Sequence, residues 1–199
     1  MNKLAIILLM LFLFGCLENK KNPEKQKLNE SFYGNELIEN EFLKFANQEN
    51  TDSLKIEIIE SFNIYNEGNF KIVSIDAEEL AEFNFKSFVP NLNKILSKRK
   101  IQLDVETAEN YESSNDILIN QEKIKLYSNK EMNDDTFWDA ASRNFFKKVN
   151  EIILKSSLPE KFYLLYEGND LSVMLLTEKQ YKIIAEKYKN EAKEIPYLP

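Results

Sequence analysis

The sequence contains no histidine and a single cysteine, Cys16, among its 199 residues. The missing histidine excludes the Ser-His-Asp and Cys-His catalytic arrangements and most transition-metal ligand sets. The missing second cysteine excludes an internal disulfide. Arginine occurs only at Arg99 and Arg143, so few side chains can bind a phosphate or carboxylate through two parallel hydrogen bonds. An enzyme built on this chain would depend on carboxylates, lysine, tyrosine or serine.

Positive charge is also scarce, because 26 Lys and Arg face 33 Asp and Glu, a net charge of -7 at pH 7. The densest basic cluster is Ser97-Lys98-Arg99-Lys100, at the end of a predicted helix. Cations are favourable there because of the helix dipole, so we interpret this cluster as a solvated helix terminus. Nucleic-acid binding needs clustered basic residues on one face, and we therefore expect no nucleic-acid partner.

Long apolar runs are confined to the N-terminus. Lys3 precedes an unbroken apolar run at residues 4–14, which stops at Gly15 and Cys16. A bilayer-spanning helix needs about 17 to 25 apolar residues, so this run is too short to span. A basic start followed by a short apolar run is typical of a cleaved signal peptide.

The last four residues of this region, Leu13-Phe14-Gly15-Cys16, resemble the lipobox of bacterial lipoprotein precursors. In that family a diacylglyceryl group is added to the cysteine sulfur, and a peptidase cleaves before it. The resemblance covers residues 1–16 only. It implies that residues 1–15 are a signal peptide, that Cys16 carries the lipid, and that the membrane is a partner. The alternative is an ordinary secretory signal with an unrelated cysteine.

This resemblance implies a lipid-anchored protein of the bacterial cell envelope, with the choice between inner and outer membrane left open. A single acyl chain binds a membrane only marginally, whereas two or three chains on Cys16 would hold the protein there. Residues 16–32 are rich in Lys, Glu, Asn and Gln, with little to bury, and predict a flexible tether after the lipid. Residues 33–199 are predicted to form one domain.

Apolar residues in this domain alternate between helical and strand spacing, which predicts an α+β fold with helices packed on an antiparallel sheet of about five to seven strands. The predicted strands lie at residues 54–64, 70–75 and 101–106, and in hairpins at 117–127, about Asn120-Gln121, and at 162–176. The 162–176 strands are apolar on both faces, which predicts a covered, central position. The predicted helices are one after Gly34, one capped by Asp76, one around Pro90, one from Asp134 or Asp135 to about Ser156, and one capped by Thr177 and Gln180.

The tripeptide Glu-Gly-Asn occurs at residues 67–69 and again at 167–169, each time between predicted strands and before a capped helix. A duplicated unit would produce this pattern. The explanation we prefer is that tight hairpins need residues able to adopt positive φ.

Two groups of acidic residues are the candidates for chemistry: Glu109, Glu112 and Asp116, and Glu131, Asp134 and Asp135. Paired carboxylates could hydrolyse glycosides or bind a cation through oxygen ligands. Neither group has the spacing or central glycine of a calcium loop. We interpret the first as a solvated loop and the second as a helix N-terminus, and we expect no catalytic, cofactor or metal site.

Aromatic residues make up 12% of the chain. On the predicted long helix, the spacing places Trp138 and Phe145 in the buried stripe. Phe137 and Phe146 cannot both face that stripe as well, so Phe137 or Phe146 covers a core edge or joins a contact surface. We prefer the core position. The tyrosines are either interface anchors or residues at the core margin: Tyr163, Tyr166, Tyr188 and Tyr197.

The sequence favours an envelope lipoprotein that acts as a protein-binding module. One concrete version is an immunity-type protein, a small acidic domain that neutralises a toxin. An enzyme using Glu109, Glu112 or Asp116 is the first alternative, and a structural lipoprotein without a ligand is the second.

Overall fold

The computed structural model describes residues 23–199, apart from the side chains of Pro23, Lys25 and Gln26. The predicted signal peptide and Cys16 lie outside the described residues. Within residues 23–199, none of the helices combines the length and the apolar composition needed to cross a bilayer.

The described chain alternates helices and short strands, which confirms the predicted α+β class. The helices are α1 (Pro23–Glu39), α2 (Thr51–Ser61), α3 (Ala77–Ala81), α4 (Val89–Ser97), α5 (Tyr111–Ser114), α6 (Asn129–Asn133), α7 (Phe137–Lys155) and α8 (Glu178–Lys187). The strands are β1 (Ile72–Ser74), β2 (Val105–Thr107), β3 (Asp116–Ile119), β4 (Glu122–Lys125), β5 (Glu160–Leu165) and β6 (Ser172–Thr177).

The strands form two antiparallel sheets of three strands each, where we predicted a single sheet. The first has the order β1-β6-β5, with Val73 opposite Val173 on neighbouring strands. The second has the order β2-β3-β4. Its hairpin turns at Asn120 and Gln121, both at positive φ, as predicted. Among the described residues, the two sheets share no strand.

The first sheet separates two hydrophobic cores, because alternate residues of each strand point to opposite faces. The larger core receives one set of strand side chains: Val73, Phe162, Leu164, Val173 and Leu175. The smaller core receives the other set: Ile72, Tyr163, Leu165, Met174 and Leu176. Helices α3, α4 and α7 contribute to the larger core, and α1, α2 and α8 to the smaller one. The prediction that strands β5 and β6 are covered on both faces is confirmed.

The predicted strand at residues 54–64 is wrong, because residues 51–61 form helix α2. Leu54, Ile58 and Phe62 are buried and lie four residues apart, a spacing that suits a helix as well as alternate positions of a strand. Ile56, which a strand would have buried with them, is exposed. Phe62 then ends the helix in the left-handed conformation.

The predicted hairpin about Glu67-Gly68-Asn69 is also wrong, because its first strand would have been the segment that forms helix α2. These residues form a 3-10 turn, and β1 pairs with β6, about 100 residues later in the chain. Only the second Glu-Gly-Asn tripeptide lies within a hairpin, between β5 and β6. The resemblance between the two segments is therefore limited to a turn, a following strand and a capped helix.

Helix α1 begins at Pro23, so the predicted tether includes residues that are helical. Proline suits the first turn of a helix because its φ is preset and no N–H is required there. Gly34 lies inside α1, where its backbone packs against Ile58 and Ile59 of α2. Glu24 and residues 27–29 are exposed, which explains why this segment is poor in apolar residues.

Several predicted helix boundaries are confirmed. Asp76 accepts hydrogen bonds from the backbone N–H groups of Glu78 and Glu79, and Thr177 forms a capping box with Gln180. Pro90 lies in the first turn of α4.

The predicted caps of the long helix, Asp134 and Asp135, are wrong. Helix α7 begins after Thr136, and the short helix α6 precedes it with a capping box of Ser128 and Glu131. The strand predicted at residues 101–106 is shorter than expected, since β2 begins only at Val105.

Candidate functional site

Four polar side chains meet in a buried cluster beside the first sheet: Lys71, Arg99, Glu160 and Gln180. Lys71 immediately precedes β1, and Glu160 is the first residue of β5. Arg99 follows α4, and Gln180 lies in the first turn of α8. Charged side chains are almost never fully buried unless paired, so this cluster is the most unusual polar feature of the described chain.

Glu160 joins the two cations of this cluster. Its Oε1 accepts a hydrogen bond from Lys71 Nζ at 2.6 Å and another from Arg99 Nη2 at 2.8 Å. Its Oε2 accepts from Arg99 Nε at 2.8 Å. The guanidinium therefore binds the carboxylate with two parallel hydrogen bonds, the strongest geometry for such a pair.

The same side chains connect separate elements of the fold. Arg99 Nη1 donates to the backbone oxygens of Phe70 at 3.1 Å and Ile95 at 3.0 Å. Gln180 Oε1 accepts from Lys71 Nζ at 3.1 Å, and its Nε2 donates to the backbone oxygen of Asn40 at 2.8 Å. The cluster thus links the ends of α1 and α4 to β1, β5 and α8.

Burial dominates the electrostatics of the cluster. It lowers the pKa of the Lys71 ammonium to about 8, although the neighbouring Glu160 partly opposes this shift. Burial alone would raise the pKa of the Glu160 carboxyl, but Arg99 and Lys71 together hold that pKa below its usual value. Glu160 is therefore an ionised carboxylate at neutral pH, and Lys71 remains mostly protonated.

A cavity of about 110 Å³ lies beside Lys71 and Glu160. Phe45 and Leu158 provide part of its apolar wall. Phe45 also covers Arg99, whose guanidinium carbon lies 3.9 Å from the centre of the Phe45 ring.

Two oppositely charged residues, Glu41 and Lys44, also line this cavity and pair at 2.9 Å. Both side chains are more than half exposed, so they lie where the cavity meets solvent. Their charges balance each other. The buried cluster, with the two cations Lys71 and Arg99 and the single carboxylate Glu160, is left with one excess positive charge.

The acids predicted as catalytic candidates do not line this cavity. Glu109 and Glu112 are exposed. Asp116 is paired with Lys123 at 2.9 Å and Lys125 at 3.1 Å, and hydrogen bonding to these lysines lowers its pKa. Residues 23–199 contain no group of three or more acidic side chains placed to hold a metal ion.

The second acidic group has a local structural role. The Glu131 carboxylate accepts hydrogen bonds from the Ser128 N–H at 2.6 Å and the Ser128 hydroxyl at 2.8 Å, which closes the capping box of α6. Asp134 and Asp135 are exposed, with Asp135 at positive φ.

The aromatic residues of α7 divide between core and surface. Phe145 and Phe146 are fully buried, and Phe137 is half-buried against the larger core. The preferred core position of Phe146 and Phe137 is therefore confirmed. Trp138, which we placed in the buried stripe, is 37% exposed, so that part of the prediction is wrong.

Tyr166 and Tyr188 lie at the margin of the smaller core, and Tyr197 lies at the margin of the larger one, whereas Tyr163 belongs to the smaller core itself. Tyr163 is buried and stacks on Tyr181 with ring centres 4.6 Å apart. The hydroxyls of Tyr65 and Tyr166 donate to Glu194 at 2.8 and 2.7 Å.

The C-terminal tail packs against the first sheet. Tyr197 exchanges two backbone hydrogen bonds with Leu164, both at 2.8 Å, along the outer edge of β5. The end of the chain is therefore docked on the edge of the sheet.

Several large apolar side chains remain exposed in the described structure. Leu28 is 74% exposed and Phe32 61% exposed on α1, and Ile56 is 56% exposed on α2. Leu28 and Phe32 are four residues apart, so they lie on the same side of α1.

Sequence reasoning missed the buried cluster and interpreted Arg99 as part of a solvated helix terminus. Arg99 is buried, whereas its neighbours Lys98 and Lys100 are exposed. Lys71 carried a usable signal, because it stands beside the apolar residues of a predicted strand. Glu160 lies 89 residues away from Lys71, and nothing local indicates that the two meet.

Comparison with known protein families, curated proteins and solved structures finds no match for this chain. The interpretation of its function therefore depends on the chemistry of its own residues.

Proposed function

We propose that this chain is a lipid-anchored protein of the bacterial cell envelope that binds another protein. The observation that carries the binding role is the pair of exposed apolar side chains on α1, Leu28 and Phe32. Single exposed apolar residues are normal on protein surfaces, but two large ones on the same side of a helix favour a contact surface. The exposed Ile56 adds to the apolar area of the α1 and α2 pair.

The position of α1 in the chain supports this role. Helix α1 begins seven residues after Cys16, a distance that an extended chain spans in at most about 25 Å. A protein anchored at Cys16 would therefore present this helix near the membrane, within reach of a partner at that surface. The net charge of -7 suits a basic partner, as an immunity-type role would require.

The carboxylate enzyme is less well supported than protein binding. Asp116 is neutralised by two lysines, and neither Glu109 nor Glu112 lines the cavity. A general acid or base must lie within hydrogen-bond reach of a bound substrate, and none of these three residues lines the cavity beside Lys71.

Site-specific photocrosslinking in the native cell tests the binding role. A photoreactive phenylalanine analogue placed at Phe32 should capture one dominant protein, identified by mass spectrometry. The same analogue at the exposed position Glu109 is the matched control and should not capture it. Equal capture at both positions, or none at either, would contradict the proposal.

The anchor has a separate test. Replacing Cys16 with Ser should release the protein from the membrane fraction and abolish incorporation of labelled palmitate. Unchanged membrane retention would contradict the anchor and leave the photocrosslinking result standing.

A further inference from the structure

We propose that the cavity beside Lys71 is a binding site for a small monocarboxylate. This inference is independent of the anchor and of the protein-binding role. It rests on the charge, hydrogen bonding and size of the cavity.

The buried cluster beside this cavity carries one excess positive charge. Lys71 and Glu160 line the cavity, and Arg99 lies behind the wall, bound to Glu160, so two cations meet one carboxylate. Glu41 and Lys44 cancel each other at the solvent side. An uncompensated charge is costly away from water, so one bound negative charge would complete the site.

Lys71 also has hydrogen-bonding capacity for a ligand. Its ammonium carries three donors, and within the described part of the chain it donates to Glu160 Oε1 and Gln180 Oε1. Because Lys71 lines the cavity, its third donor can serve an anion there. The hydroxyl of Thr177, another wall residue, accepts from the Gln180 N–H and can donate its own hydrogen to the same anion.

The single excess positive charge of the buried cluster and the size of the cavity determine which class of ligand fits. A dianionic phosphate would overcompensate the site, and Arg99 is already bound to Glu160 through two hydrogen bonds. A cavity needs only about 10–15 Å³ to hold one water molecule, so 110 Å³ accommodates several non-hydrogen atoms. Phe45 and Leu158 provide an apolar wall for a short alkyl chain. These features fit a carboxylate on a short hydrocarbon tail.

The test is a titration of the isotope-labelled protein with sodium propionate, followed by NMR. Sodium chloride at equal ionic strength is the reference. We expect saturable shifts at Thr177 and Gln180 with propionate only. Propionate shifts no larger than those with chloride would overturn the proposal, and this result does not depend on any variant folding.

Two variants assign the site. Lys71→Met should weaken propionate binding by about tenfold or more, the loss expected for one hydrogen bond to a charged group. Lys161→Met, at an exposed lysine of β5, is the matched control and should bind as the wild type does. Equal affinity of Lys71→Met and the wild type would overturn the assignment.

A second probe distinguishes two sources of the carboxylate. The side chain of glutamate has the same atoms beyond its Cα as propionate, so acetyl-Gly-Glu-Gly-amide presents the same group on a peptide. Shifts with propionate alone would assign the site to a free small acid. Shifts with both probes would show that the site also admits the side chain of a glutamate within a peptide.

Discussion

At the scale of single residues, Glu160 holds together two buried cations that have no other carboxylate partner among the described residues. Replacing Glu160 with Gln keeps its size and removes its charge. We expect the free energy of unfolding at neutral pH to fall by about 3–5 kcal/mol, because removing one member of a buried ion pair leaves the others uncompensated. Urea denaturation monitored by circular dichroism measures this change.

The matched control is Glu109→Gln, the same substitution at an exposed site. It should change the free energy of unfolding by less than about 0.5 kcal/mol. A loss for Glu160→Gln as small as that of the control would mean that the buried cluster contributes little to folding.

Lys71 gives the stability of the protein a defined pH dependence. Burial lowers its pKa to about 8 in the folded protein, whereas the ordinary value, near 10.5, applies to the unfolded chain. Between these values the unfolded chain binds a proton that the folded protein has lost, so the free energy of unfolding rises with pH. Well below pH 8 both states are protonated and the burial penalty is fully present.

We therefore expect the wild type to gain about 1 kcal/mol relative to Lys71→Met between pH 7 and pH 9. Taking the difference between the two proteins cancels the contributions of other groups. The range ends below pH 10 because burial raises the pKa of Tyr163 to about 12. Above pH 10 the unfolded chain loses the Tyr163 proton while the folded protein keeps it, and the free energy of unfolding falls. A difference that is constant from pH 7 to 9 would mean that Lys71 keeps its ordinary pKa.

At the scale of elements, Gly34 sets the separation of α1 and α2. A Cβ at this position would contact Ile58 O and would lie 2.7 Å from Ile59 Cα, both backbone atoms of α2. Alanine favours a helix over glycine by about 1 kcal/mol, but the two helices would have to move apart. We expect Gly34→Ala to lower the melting temperature, as measured by thermal denaturation.

The control for this substitution is Asn29→Ala, at an exposed position of the same helix. It should leave the melting temperature unchanged or raise it slightly, because alanine is the better helix former. A melting temperature that rises for both variants would show that α1 and α2 do not pack closely at Gly34.

The elements show which sequence patterns were sufficient and which were not. The Asn120-Gln121 hairpin and the helices after Asp76 and Thr177 were predictable because turn and capping signals act over a few residues. Residues 54–64 were mistaken for a strand because apolar residues four apart satisfy both the helical and the strand period. Only the exposure of Ile56, a property of the folded protein, separates the two structures.

The candidate site was predictable only in part, since its residues come from distant segments. Lys71 was recognisable as a charge beside an apolar strand. Its pairing with Glu160 follows from the antiparallel arrangement of β1, β6 and β5, which no local pattern specifies. Arg99 was misinterpreted because a basic residue after a helix is usually solvated, whereas here α4 ends against the first sheet.

At the scale of the whole molecule, the first sheet is a wall shared by the two cores. Consecutive residues of β6, Val173 and Met174, enter the larger and the smaller core respectively. Loss of packing on one face therefore reaches the other face through the same strand. We infer that the two cores unfold together as one cooperative unit.

The single tryptophan provides a test of this cooperativity. Trp138 lies on α7, with its ring centre 5.6 Å from that of Phe137, which packs against the larger core. Met174 is fully buried in the smaller core, on the opposite face of the sheet. Replacing Met174 with Ala should cost about 2–5 kcal/mol because it leaves a cavity. If the cores are coupled, the tryptophan fluorescence transition must shift to lower urea together with the far-ultraviolet circular dichroism transition.

The control is Val173→Ala, on the same strand. Val173 faces the larger core, so this substitution disturbs the core that lies nearer to Trp138. In each variant, the fluorescence and circular dichroism transitions should shift to lower urea by the same amount. If Met174→Ala shifts the circular dichroism transition and leaves the fluorescence transition in place, the cores unfold separately. Each core would then unfold as a separate cooperative unit. The core whose transition shifts in Glu160→Gln would be the one that the buried cluster at Lys71 stabilises.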